Sequence, residues 1–170
     1  AVTTCALTRR PDGMIHDGSA YIGDGVYNTT GTGQSHHHEV KIESRAAYYM
    51  RFYNDGNAAD TFRIQGTGGN SGWRVLYYDQ ITGADLTAAV TGAGFVTSDL
   101  APGSYQHIRL EVTPLSGVVP GAARSVLVTA ASVGDPAKRD AVKTTTSALV
   151  WRPDAAIYDG VGYTGLGIHN

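Results

Sequence analysis

The chain has 170 residues, of which 42% are hydrophobic and 16% are charged, and its formal net charge at pH 7 is -2. This length suits one well-buried domain and is too short for two ordinary ones. A nucleic-acid groove would need clustered Lys and Arg, so we expect no nucleic-acid partner. No apolar run approaches the roughly 18 residues that span a bilayer, so we expect no membrane insertion.

The first 28 residues hold two kinds of candidate site. Asp12 and Asp17 lie among glycines in PDGMIHDG, and Ca²⁺ prefers carboxylate oxygens on flexible loops. We keep both as candidate calcium ligands, beside the simpler interpretation that they cap Asp-Gly turns. Asn28 begins the triplet Asn-Thr-Thr, an N-glycosylation sequon that has meaning only if the protein is exported.

Three consecutive histidines form the most conspicuous chemical motif of the chain. On a strand, His36 and His38 would share one face and could bind Zn²⁺ or Cu²⁺ with a third ligand such as His16. Glu39 would point to the opposite face. The alternative is an exposed polar stretch at the beginning of a strand.

Alternating apolar residues dominate the middle of the chain. They recur every second position in residues 48–52, 73–77 and 108–112, which is the period of a strand with one buried face. Turn-forming Asn, Asp, Gly and Pro separate these runs. Only residues 84–90 fit a helical turn. We predict an all-β fold, an antiparallel immunoglobulin-like β-sandwich of about seven or more strands.

Two segments resemble a known class of module. YNDGNAADTFRI at residues 53–64 and LAPGSYQHIRLEVTP at residues 100–114 are similar to immunoglobulin-like modules of bacterial and archaeal surface proteins, of the cell-adhesion-related (CARDB) type. The RPD opening of residues 10–12 also resembles repeat units of long secreted bacterial proteins. The resemblance covers roughly residues 10–146 and implies a spacer, an adhesion unit or an appendage to an enzyme.

The residue pattern does not indicate a catalytic site. The serines lack a nucleophile-elbow context, and the carboxylates are scattered over turns and strand faces. The single cysteine, Cys5, is matched by Ser147 in a second copy of the same segment. We therefore expect no catalytic residues and no enzymatic activity.

Aromatic residues offer a different kind of binding surface. Trp73, Tyr77, Tyr78 and Tyr105 are candidates for a sugar platform. Trp73, however, alternates in phase with Val75 and Tyr77, which favours a place in the core.

The end of the chain repeats its beginning. Residues 143–170 align with residues 1–28 without gaps at an offset of 142, with 14 identities in 28 positions. We predict an N-terminal arm over residues 1–9, a sandwich over residues 10–142, and a segment over residues 143–170 that is a junction or the start of a next repeat. The predicted junction residues are Thr3, Thr4, Leu7, Thr145, Leu149, Val150 and Trp151.

These observations predict a secreted structural or adhesive module at the cell surface. It would assemble end to end, as a tandem repeat or as a filament subunit joined by strand complementation, with copies of itself or adjacent repeats as partners. One alternative is a carbohydrate-binding module of a secreted enzyme, with surface glycans as partners. The other is a metal-binding surface protein that uses Ca²⁺ or Zn²⁺; apart from such an ion, we expect no cofactor.

Overall fold

The computed structural model describes residues 6–151 and 156–164. Over these ranges the chain forms short and medium strands with one short helix. In chain order the elements are β1 (Pro11–His16), β2 (Tyr21–Ile22), β3 (Ser35–Val40), β4 (Ala46–Asn54), β5 (Phe62–Gly66), β6 (Trp73–Asp79), α1 (Thr87–Thr91), β7 (Phe95–Val96), β8 (Tyr105–Pro114), β9 (Ala123–Ser132), β10 (Arg139–Ala148), β11 (Ile157–Tyr158) and β12 (Tyr163–Thr164).

Ten of these strands form two five-stranded sheets. One sheet has the order β2-β1-β4-β8-β6 and the other the order β3-β10-β9-β5-β7. The predicted immunoglobulin-like sandwich is confirmed. One pair, β3 with β10, is parallel, and every other pair in the two sheets is antiparallel. Apolar residues alternate in the same way in parallel and antiparallel strand pairs. The sequence pattern therefore does not reveal that β3 and β10 are parallel.

The core lies between the two sheets, where the alternating residues meet. In β4, Tyr48, Met50 and Phe52 are at most 1% exposed, and in β9 Val126 and Val128 are fully buried. Successive side chains of a strand point to opposite faces, which is why every second residue enters the core. The predicted helical turn overlaps α1, which places Val90 against this core.

Strand β10 runs through the predicted boundary between residues 142 and 143. It lies between β9 and β3 and buries Thr144, Thr146 and Ala148. A strand with neighbours on both sides belongs to the sheet that contains it, so the sandwich extends to residue 148. In the repeat alignment, residues 1–6 correspond to residues 143–148, which are the end of this strand.

Candidate functional site at the module ends

The chain enters the sandwich along a cavity of about 730 Å³, lined by residues 7–11, Tyr27 and the turn before β10. The guanidinium of Arg9 donates to Asp60 Oδ1 at 2.6 Å, and Asp60 is only 3% exposed. Asn57 holds the segment from the other side, because Thr8 N–H donates to its Oδ1 and its Nδ2 donates to Ala6 C=O. The entering segment is therefore fixed to the sandwich before β1 begins.

The chain leaves the sandwich at the other end of β10. Leu149 N–H donates to Val40 C=O at 2.8 Å, and Gly121 N–H donates to Ala148 C=O at 2.7 Å. The entry cavity includes Arg139, the first residue of β10, whereas these bonds involve its last residue, Ala148, and the residue after it. A ten-residue strand is about 33 Å long, so the entry and the exit lie at opposite ends of the sandwich.

Beyond the exit, the chain rebuilds the first hairpin of the sandwich. In β1 and β2, Ile15 pairs with Ile22 and His16 with Tyr21. In β11 and β12, Ile157 pairs with Thr164 and Tyr158 with Tyr163, which is the same register shifted by 142 positions. The repeated sequence therefore gives a repeated local structure.

The turn within the hairpin is repeated as well. Asp17 Oδ1 accepts hydrogen bonds from the backbone amides of Ser19 and Ala20. Asp159 Oδ1 accepts them from the equivalent amides of Val161 and Gly162. An aspartate that bonds the amides after it fixes such a turn from local sequence alone.

The two hairpins differ in what covers them. Ile15 is fully buried because β1 pairs with β4 and faces the core. The equivalent Ile157 is 75% exposed, and Tyr158, Val161 and Tyr163 are exposed as well. The second hairpin forms a separate two-stranded sheet. It thus exposes the isoleucine whose counterpart the first hairpin buries.

The predicted junction residues divide into three groups. Thr3 and Thr4 lie outside the described residues, as does Cys5. Thr145 lies within β10, where its hydroxyl bonds Ser125 Oγ at 3.0 Å inside one sheet. The other four, Leu7, Leu149, Val150 and Trp151, lie at the two ends.

Trp151 is the largest exposed apolar side chain at the exit. It is 68% exposed, and Lys41 Nζ lies 5.1 Å from its ring centroid. This contact connects the exit segment to the loop between β3 and β4. The junction assignment stays a prediction for all seven residues.

The two predicted calcium ligands have different environments. Asp17 caps its own turn, and hydrogen bonds from Ala20 and Ser19 lower its pKa to about 2. Asp12 is fully buried, and its Oδ2 accepts a bond from Gly25 N–H. Within the described parts of the chain, no three Asp, Glu, His or Cys side chains converge to hold a metal ion. Calcium binding stays a prediction.

Asp12 lies in a cluster of four aspartates that sequence reasoning missed, two of which, Asp12 and Asp140, are buried. Burial raises its pKa to about 7, and the carboxylates of Asp55, Asp140 and Asp24 add to the rise. Burial also raises the pKa of Asp140, against the effect of its own hydrogen bonds. An aspartate at the start of a strand gives no sequence signal that it will be buried.

Asp140 holds three distant segments together. It accepts hydrogen bonds from Gly13 N–H at 2.6 Å, from Asn28 N–H at 2.7 Å and from Gln34 Nε2 at 2.9 Å. These bonds fix the loop between β2 and β3 onto β10. The candidate glycosylation site, Asn28, is part of this loop, and its own Nδ2 donates to Thr32 C=O at 2.9 Å.

The candidate sugar platform is divided between the core and the surface. Trp73 and Tyr77 are buried, as the alternation predicted for Trp73. Tyr105 instead lies on the outer face of its sheet, with its ring centroid 4.4 Å from that of Tyr53. Tyr78 is covered by the guanidinium of Arg109. Glycan binding stays a prediction.

The histidine motif adopts the predicted strand geometry. His36 and His38 share one face of β3, with their Nε2 atoms 3.1 Å apart. His37 points to the other face, where its Nε2 lies 3.0 Å from Ser147 Oγ. His16 and His38 line one cavity of about 500 Å³ with Tyr21 and Gln80.

Among residues 6–151 and 156–164, no helix is long and apolar enough to cross a membrane.

Comparison with known proteins yields likeness of fold only. No protein-family model matches the chain, and no curated protein matches its sequence. A family 123 glycoside hydrolase from Clostridium perfringens is similar in structure, with a TM-score of 0.50 and 4% identity over 85% of this chain. The match spans 28% of that enzyme.

Two further structures are similar with TM-scores below 0.5. The major pilin subunit BcpA of Bacillus cereus has a TM-score of 0.44 and 9% identity, over 83% of this chain and 40% of that one. The N-terminal domain of PorA has a TM-score of 0.43 and 11% identity, over 80% of this chain and 96% of that one.

Proposed function

We propose that this chain is a structural module of an extracellular surface assembly, joined end to end with similar modules. One observation carries the proposal: residues 157–164 repeat the register and turn of β1 and β2 but expose Ile157, whose counterpart Ile15 is fully buried in the first copy. A hairpin of two-residue strands has little stability by itself and needs a sheet to pack on. Another sandwich of the same kind supplies that sheet.

The position of the two ends supports an axial arrangement. Entry and exit lie at opposite ends of the sandwich, separated by the length of β10. Modules joined through such ends follow one another in a line, as in other repeat proteins. Residues 149–151 are the connector, and they align with residues 7–9 at the entry, with the leucine shared.

A following sandwich of different sequence fits the hairpin better than a second copy of this one. In the first copy, a Cβ at Gly13 would lie 3.1 Å from Asp140 Oδ2, Phe52 Cε1 and Val142 Cγ1. The second copy has Ala155 at the equivalent position. A close-packed core resists an added methyl group. The second segment therefore fits a sandwich in which different residues surround this position.

The resemblance of residues 53–64 and 100–114 to CARDB-type modules supports the same role. Modules of that type usually serve as spacers, adhesion units or appendages to enzymes. Secretion and a place at the cell surface are part of this proposal.

Intact mass and assembly state test the proposed function. We expect the protein isolated from its source either to have a mass many times 17.9 kDa, as a serial array, or to form filaments from units of that mass. For the second case, the chain ending at Trp151 should lose filaments in electron micrographs. A native 17.9 kDa monomer that is unaffected by the deletion would contradict the proposal.

A point substitution separates the hairpin from general surface hydrophobicity. Ile157→Ser removes an apolar side chain that is 75% exposed in the hairpin, and Ile81→Ser removes one that is 71% exposed elsewhere. In an assembly that uses the hairpin, only Ile157→Ser should weaken association in sedimentation velocity. Equal effects of the two substitutions would indicate non-specific contact instead.

A further inference from the structure

The edge strand β3 holds two imidazoles close together on one face. His36 and His38 are half-buried, and their rings make an edge-to-face contact with centroids 4.5 Å apart. Their Nε2 atoms face each other at 3.1 Å. Two neutral rings reach this distance when one Nε2–H donates to the other Nε2.

The same distance fits a shared metal ion. Zn²⁺ binds imidazole nitrogen at about 2.0–2.1 Å, so two nitrogens 3.1 Å apart would subtend an angle of about 100° at the ion. This angle lies between those of square-planar and tetrahedral sites, which Cu²⁺ and Zn²⁺ respectively prefer. To bind through Nε2, the ring that donates in the hydrogen bond moves its proton to Nδ1.

The surrounding strands hold the two rings in place. Parallel pairing joins His36 and His38 to Thr144 and Thr146 of β10. The ring of Tyr48 makes edge contacts with both imidazoles, with centroid distances of 6.1 Å and 5.0 Å. Its hydroxyl donates to Thr145 C=O at 2.8 Å and lies 2.7 Å from Thr146 Oγ1. Ligands fixed in this way lose little conformational freedom when an ion binds.

His16 is a poor third ligand, although it lines the same cavity as His38. Its Nδ1 accepts a hydrogen bond from Gly18 N–H at 3.1 Å, which leaves the proton of the neutral ring on Nε2. The protein therefore supplies two imidazoles at this place, and water completes the coordination.

We propose that His36 and His38 form a binding site for a divalent transition-metal ion of the Cu²⁺ or Zn²⁺ class, on the edge strand β3. The proposal does not rest on the end-to-end junction, because its ligands belong to β3 and none of them is a predicted junction residue. Neutral imidazole suits both ions, and Cu²⁺ should bind more tightly than Zn²⁺.

Calorimetric titration with Cu²⁺ and Zn²⁺ tests the site, with His37→Ala as a matched control. We expect one saturable site per chain, and binding at least tenfold weaker in His36→Ala and in His38→Ala. His37→Ala should keep the affinity, because this ring lies on the other face of the strand. Circular dichroism of each variant checks that the fold is retained.

Electron paramagnetic resonance of the Cu²⁺ complex gives a second measurement. We expect two equivalent nitrogen ligands in the wild-type protein and in His37→Ala, and one or none in His38→Gln, which keeps a polar side chain of similar reach. Absence of saturable binding would overturn the proposal. It would also fail if His37→Ala weakened binding as much as the other two, since the motif would then act as an unstructured chelator.

Discussion

At the scale of single residues, the buried carboxylates near β1 are the least expected feature. Asp12 and Asp140 are fully buried, and Asp12 Oδ1 and Gln34 Oε1 have no hydrogen-bond partner among the described residues. A charge buried in this way opposes folding unless it is neutralised. Protonation of Asp12 removes that cost, which is why its pKa is raised.

We expect Asp12 to make stability fall as the pH rises. Its pKa is 3.8 in the unfolded chain and about 7 in the fold, so between these values the folded state binds more protons. The free energy of unfolding therefore decreases from about pH 4 to pH 7, by about 1.4 kcal/mol per unit of pKa shift. Asp12→Asn should be more stable than the wild type at pH 8 and lose this advantage at pH 4, in urea titrations at both values.

Asp17→Asn is a control for which we expect the opposite dependence of stability on pH. Hydrogen bonds lower the pKa of Asp17 to about 2, so its stabilising effect is present above pH 4 and is lost as the pH falls towards 2. We expect this variant to be less stable than the wild type at pH 7 and equal to it near pH 2. Parallel pH profiles for the two variants would show that the assigned environments are wrong.

Gly13→Ala should destabilise the sandwich by about 1–3 kcal/mol, because the added Cβ meets Asp140, Phe52 and Val142 between the two sheets. Gly117→Ala is the matched control, since a Cβ there meets no atom within 4 Å. The difference is measured from urea unfolding midpoints. Equal midpoints for the two variants would contradict close packing at Gly13.

At the scale of elements, β10 decides where the module ends. Its composition, rich in threonine and free of charge after Lys143, predicts a strand, but composition does not reveal its neighbours. The structure places it between β9 and β3, so the repeated segment contributes both to this sandwich and to the hairpin that follows.

Two truncations separate these contributions. A chain ending at residue 142 loses the last six residues of β10, with Thr144, Thr146 and Ala148 of the core, and we expect it not to fold. A chain ending at Trp151 keeps β10 and should have the melting temperature of the full chain, since β11 and β12 pair with each other. Circular dichroism during heating distinguishes the two outcomes. A folded chain of 142 residues would show that β10 is dispensable.

At the scale of the whole molecule, the entry and the exit of the sandwich define an axis. The entry segment leads into β1 and the exit follows β10, which face each other in opposite sheets. Force applied through the ends acts along these strands, and hydrogen bonds between strands run perpendicular to them. Many bonds then share the load.

We therefore expect high mechanical resistance along this axis. In single-molecule pulling, attachment at Leu7 and Leu149 should give a higher unfolding force than attachment at Ser44 and Gly117, at the same end of the neighbouring strands β4 and β8. The second geometry separates these two strands from one end, so their hydrogen bonds break one after another. Similar forces for both attachments would argue against a role as an axial spacer.

Local sequence by itself determined the buried faces of the alternating strands and the turn that both copies of the repeated segment form. Alternation fixed which side chains of β4 and β6 are buried, and an aspartate followed by glycine fixed the same turn at Asp17 and Asp159. These features depend on residues a few positions apart, so a single sequence contains them.

Only the tertiary structure decided how these parts are arranged. Gly13 bonds Asp140 from 127 positions away, and the parallel pairing of β3 with β10 brings the histidines beside the last strand of the sandwich. The opposite placement of entry and exit also follows from sheet order. Such features result from the packing of segments that are distant in the sequence. Local sequence patterns depend on neighbouring residues only and do not determine which distant segments pack together.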